Sequence, residues 1–136
     1  MNYYIAVIYF PEEVSQLFKN IKGEHGRYMK CVEIPHLTLV NPFEPKVDIT
    51  LINQKLKQVA ERTKSFNLKL GGIKYFKDAN GENNGAYISI ANKQPVIDLH
   101  YAFYQSIDGL ITDQYQGRFN LDKFNPHLTF GDILAG

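Results

Sequence analysis

The chain has 136 residues, 44% of them apolar and 13% aromatic, which is the size of one domain and too apolar for a disordered segment. Fifteen Lys and Arg against fourteen Asp and Glu leave a formal charge of +1, so the basic surplus of a protein that grips long duplex nucleic acid through its phosphates is missing. The first apolar run stops at Pro11, far short of the roughly 20 residues of a membrane span, and the lone Cys31 excludes an internal disulfide and a multi-cysteine zinc site; a cytoplasmic protein without membrane contact is expected.

Residues 3–10 are β-branched and aromatic and predict a largely buried strand, with Pro11 marking a helix start. Val14, Leu17, Phe18 and Ile21 recur at helical spacing, so a helix with one apolar stripe is expected from Pro11 to about Ile21, ended by Gly23. Residues 23–29 have no period and predict an exposed loop that holds His25. A strand interrupted by Pro35 is expected from Cys31 to Val40, after which Asn41-Pro42-Phe43-Glu44-Pro45 should break regular structure.

A second helix is expected from Asp48 to Thr63 on Leu51, Ile52, Leu56, Val59 and Ala60. Phe66 to Phe76 and Ala86 to Ala91 read as the strands of a hairpin around a turn at 78–85, and Gly71-Gly72 suggests a bulge in the first. A third helix begins near Pro95, apolar almost all round from Val96 to Leu110, with Gly109 near its end. Residues 112–125 lack a clear period, and His127 to Ile133 is the last strand. The order β-α-β-α-β-β-α-β holds two βαβ-like passages, which suggests an internal duplication within a single domain, 1–136.

Each passage ends in the same word: Pro35-His36-Leu37-Thr38-Leu39 and Pro126-His127-Leu128-Thr129-Phe130. On a strand, His36 and Thr38 share one face and Leu37 and Leu39 the other, and the same holds for His127 and Thr129 against Leu128 and Phe130. Each motif would bury its apolar pair and leave an imidazole beside a hydroxyl. Two imidazoles across a small group can act as general acid and general base when one is neutral and one protonated near pH 7. Threonine hydroxyls can donate to oxygens that carry negative charge, and a phosphodiester fits that description without any metal. A single such histidine is more often structural. Core packing would repeat the leucines, however, and need not repeat His and Thr. His25 and His100 lack this context and are read as structural. Two neutral imidazoles could instead ligate zinc, which needs further ligands, and only Glu33, Asp132 and Cys31 are near in sequence.

The paired motifs resemble the His-x-Thr/Ser-x signatures of the two-histidine (2H) phosphoesterase superfamily, and Val40-Asn41-Pro42-Phe43 and Gly131 resemble its bacterial 2′-5′ RNA ligase-like branch. The resemblance implies an α+β fold of two pseudo-symmetric lobes, with antiparallel sheets flanked by helices, enclosing a central cleft. It implies hydrolysis of a 2′,3′-cyclic phosphate or 2′-5′ phosphodiester at an RNA end or small nucleotide, with no cofactor. His36 and His127 would be acid and base, and Thr38 and Thr129 the phosphate contacts. Phe43, Tyr75 and Tyr115, and also Tyr87, are candidate surfaces for stacking a base, and Arg27, Lys74, Lys77 and Arg118 could reach a second phosphate. A monomer suits this reading. The alternative is a non-catalytic module that binds an RNA end or nucleotide phosphate in the same cleft.

Overall fold

The computed structural model describes residues 2–25, 29–31, 35–77 and 79–133. In chain order these form β1 (Tyr4–Tyr9), α1 (Glu12–His25), β2 (Met29–Cys31), β3 (His36–Pro45), α2 (Ile49–Arg62), β4 (Leu70–Lys77), β5 (Asn83–Ile90), α3 (Gln94–Ser106), β6 (Ile111–Asp113), one 3₁₀ turn at Leu121–Lys123, and β7 (His127–Ile133). Strands follow the order β1-β3-β7-β5-β4, with β2 also on β7 and β6 on β3. The pairs β2–β7, β3–β6, β3–β7, β4–β5 and β5–β7 are all antiparallel, so the fold is α+β.

Local chemistry accounts for most of these elements. Asp48 caps α2, its carboxylate accepting the Thr50 N–H at 2.9 Å, and that bond holds the carboxyl below its usual range. Ile52 and Val59, seven residues apart on one face of α2, are both buried. Pro95 sits in the first turn of α3, where no backbone donor is needed. β4 and β5 form the expected hairpin, and its register shifts between Leu70 and Ile73, at the expected bulge.

Four expectations are corrected. β1 is not largely buried: none of its six residues is buried, and Ile5 and Tyr9 are exposed. α1 continues through Gly23 to His25, so His25 is in a helix and not a loop; a glycine weakens a helix by about 1 kcal/mol without having to end it. β3 continues through Asn41-Pro42-Phe43-Glu44-Pro45, because the short β6 pairs Phe43 with Asp113 and Pro45 with Ile111, while Pro42 needs only its carbonyl, which accepts the Gln114 N–H at 2.8 Å. The strand expected from Phe66 begins only at Leu70.

The chain divides into two compact units, one of residues 1–7, 38–68 and 92–126, the other of residues 8–37, 69–91 and 127–136. In the first, Leu39, Val40, Phe43, Ile52, Val59, Val96, Phe103 and Ile107 are buried, and α3 is tied to β3 by two polar links. His100 Nδ1 meets the Leu39 carbonyl at 2.6 Å, and the Tyr104 hydroxyl accepts the Asn41 N–H at 3.2 Å. In the second, Phe18, Leu37, Ala86, Ile88, Ile90 and Leu128 are buried. Among the described residues no helix is long and apolar enough to cross a membrane.

Candidate active site

The two repeated motifs meet at one pair of residues. Leu37 on β3 lies opposite Leu128 on β7, and both are fully buried. Side chains alternate, so within the second unit the residues flanking that pair point to the other face, and His36, His127 and Thr129 are half-buried there; Thr38 is half-buried as well. Continued by one residue, that antiparallel register puts His36 opposite Thr129, with His127 as its diagonal neighbour. Both histidines and Thr129 belong to the second unit; Thr38 is the first residue of the other unit's stretch of β3, two positions along the strand from His36.

β5 extends this face. Ser89 lies opposite His127, and Tyr87 lies opposite Thr129. The Tyr87 ring meets the His127 imidazole at 5.2 Å and 64°, and the Phe76 ring meets it at 5.4 Å and 77°. Those two rings pack on each other at 4.5 Å. His127 therefore stands against an aromatic wall supplied by the hairpin. Ser89 Oγ donates to the Gly72 carbonyl at 3.1 Å, and a Cβ at Gly71 would collide with that same oxygen. The bulge at Gly71-Gly72 and the residue beside His127 are thus one packing unit. Lys74, opposite Tyr87, shares the face of the wall.

The three residues expected to stack a base are placed differently. Phe43 is 2% exposed, packed in the first unit's core with its ring 6.1 Å from that of Tyr4, so it offers no free surface. Tyr75 is exposed but lies opposite Ala86, on the sheet face that carries the buried Ile88 and Leu128, away from Phe76, Tyr87 and His127. Tyr115 belongs to the first unit, in the turn after β6, where it meets Phe119 edge-on at 5.3 Å. Of the aromatic candidates only Tyr87 reaches a histidine. Phe76 and Ser89 were not anticipated; the alternation of a hairpin could have found them, had the length of the bulge been known. Arg27 and Glu33 lie outside the described residues.

His100 sits at the opposite extreme. It is fully buried, stacked on Phe124 at 3.8 Å, and its Nε2 accepts the Leu121 N–H at 2.9 Å. Both ring nitrogens are committed to backbone groups, as its structural reading required.

The chain is 26% identical over 134 residues to a protein of Bacillus cytotoxicus named "Putative phosphoesterase", a match covering 96% of this chain and 70% of that one. No solved structure gives a significant match. The model of one family, described as the 2′-5′ RNA ligase superfamily, matches residues 10–133, from the end of β1 through both His-Leu-Thr strands to the end of β7. With that match spanning nearly every element, and with the two motifs side by side in the sheet, the chain belongs to the 2′-5′ RNA ligase superfamily of two-histidine phosphoesterases.

Proposed function

We propose that this chain is a metal-independent phosphoesterase that opens a 2′,3′-cyclic phosphate, or cleaves a 2′-5′ phosphodiester, at an RNA end or on a small nucleotide. Superfamily membership and the relative named as a phosphoesterase support a phosphoesterase- or ligase-type activity. The finer reading is supported by one observation, the Leu37–Leu128 register, which sets His36, His127 and Thr129 on one sheet face of the second unit.

In-line displacement at phosphorus puts the attacking and leaving oxygens on opposite sides of the phosphorus atom. Two imidazoles related as diagonal neighbours can flank such a group. One takes the proton of the attacking water as its oxygen bonds to phosphorus, and the other gives a proton to the ribose oxygen as its bond to phosphorus breaks. The products are a phosphomonoester and a free ribose hydroxyl. Thr38 and Thr129 donate to the non-bridging oxygens, where charge accumulates and fixed donors act most strongly.

The test is turnover of 2′,3′-cyclic nucleotides and 2′-5′ dinucleotides. His36→Ala and His127→Ala should each lower turnover by at least about 10²-fold with unchanged circular dichroism. The native protein should show a bell-shaped pH profile that EDTA leaves in place. Full turnover by either alanine variant would refute the assignment, and tight binding with no product after long incubation would leave a phosphate-binding module instead.

A further inference from the structure

The registers of the second unit line up four residues from strand to strand. Lys74 on β4 is opposite Tyr87 on β5, Tyr87 is opposite Thr129 on β7, and Thr129, with the β3–β7 register continued by one residue, is opposite His36. Residues directly opposite each other share a sheet face, so the row begins at an ammonium and ends at an imidazole. Neighbouring strands are about 4.8 Å apart, which puts the Lys74 backbone about 10 Å from that of Thr129, with Tyr87 between them. Phe76, two residues beyond Lys74 on β4 and on the same face, packs on the Tyr87 ring at 4.5 Å.

Lys74 is exposed, and among the described residues no carboxylate pairs with it. Its charge and the hydroxyl of Thr129 are thus two anion contacts separated by one ring. A nucleoside 2′,3′-cyclic phosphate has its reacting phosphate at one end of the ribose, and a phosphate on its 5′ oxygen is at the other. With the first phosphate beside Thr129 and the nucleoside over Tyr87 and Phe76, the second falls on the side of Lys74.

We propose that Lys74 is a specificity-determining residue that binds a phosphate on the 5′ oxygen of the reacting nucleoside. The preferred substrate is then a nucleoside cyclic phosphate that carries this second phosphate, either as a monoester or as the diester joining it to an RNA chain. The inference rests on the cyclic-phosphate reading above and adds the substrate's second anion. A lysine suits the task, because a point charge on a flexible four-carbon stem can follow a phosphate across the neighbouring ring. β4 ends the strand order, and a lysine on an edge strand also discourages pairing with another sheet. That protective role is indifferent to which substrate is bound, so a change in substrate preference separates the two.

The probes are adenosine 2′,3′-cyclic phosphate, the same compound with a 5′-phosphate, and a diadenylate ending in the same cyclic phosphate. The value of kcat/KM is measured for each with the native chain, Lys74→Met and Lys74→Arg. The native protein should favour the better of the two compounds with a 5′ phosphate over the first by at least about tenfold, the scale of a charged hydrogen bond. Lys74→Met should bring that ratio to within about twofold of unity, whatever happens to the absolute rates, and Lys74→Arg should keep most of it. A native preference for the diadenylate identifies the second phosphate as that of an RNA chain, and a preference for the monoester identifies it as that of a free nucleotide; both support the role of Lys74. Equal kcat/KM for all three native reactions, or the native ratio persisting in Lys74→Met, would overturn the inference and leave the phosphoesterase reading standing. No turnover of any of the three by the native protein would refute that reading and this inference with it.

Discussion

His100 shows how completely one imidazole can be committed to structure. Because Nε2 accepts the Leu121 N–H, the ring proton must be on Nδ1, where it is donated to the Leu39 carbonyl. Burial holds its pKa below the ordinary 6.5, with the Leu39 carbonyl opposing that shift in part. Protonating Nε2 would also set two N–H groups against each other. A histidine with a depressed folded pKa stabilises the fold fully above the unfolded value, and that contribution is lost as pH falls from about 6.5 through the folded value. The melting temperature should therefore be level above about pH 7 and decline below about 6.5. His100→Phe should lower it at every pH, since two buried backbone groups lose their partner, and should flatten the decline below about pH 6.5. An unchanged acid slope in the variant would assign that slope to other groups. From the sequence, the helical surroundings of His100 indicated a structural role. Its partners, 61 and 21 residues away in chain number, were not legible, because they are fixed by how α3 packs against β3 and by Leu121 adopting φ +55°.

At the level of elements, the β4–β5 hairpin decides what His127 touches. Periodicity located both strands and the glycine pair, but not which residues share a face with His127, because a bulge inverts the phase of everything beyond it. Of the neighbours Tyr75 and Phe76, it is Phe76 whose ring meets His127. Phe76→Ala should lower kcat/KM by about tenfold or more, the scale of one lost stacking ring, while Tyr75→Ala should leave it within about threefold. The reverse ranking would place the substrate on the other face. The bulge makes a sharper demand. Gly71→Ala forces Ser89 Oγ away from its site and should destabilise the protein by about 1–3 kcal/mol, as overpacking does. Ser89→Ala alone loses only the bond to the Gly72 carbonyl, and in the double variant the collision is absent. Denaturant titrations of the four proteins should show the double variant more stable than the sum of the singles by about 0.5 kcal/mol or more, and additivity would mean that the two sites do not touch. The continuation of β3 past Asn41 was missed for a related reason: two prolines argued for a break, and the three-residue partner β6 is too short to carry a period of its own.

Over the whole molecule, the duplicated motif was the most legible feature, since repetition of His and Thr is visible without any knowledge of packing; the pairing that brings the two strands together was not, since one register of β3 on β7 among several had to be chosen by burial of Leu37 and Leu128. The other whole-chain property is charge. With a formal charge of +1, the protein lacks the net basic surplus expected of one that holds a long polyanion mainly through its phosphates. If recognition is confined to a terminal phosphate and one or two neighbours, few counterions are released on binding. The logarithm of kcat/KM against the logarithm of salt concentration, below saturation, should then fall with a slope no steeper than about −2, since each neutralised phosphate of a single strand contributes about −0.7. Lengthening an oligonucleotide beyond two or three residues from its cyclic phosphate end should leave that slope unchanged, because added phosphates meet no added cations. A slope that steepens steadily with length would show an extended nucleic-acid track on this protein and would favour an RNA strand over an RNA terminus as its substrate.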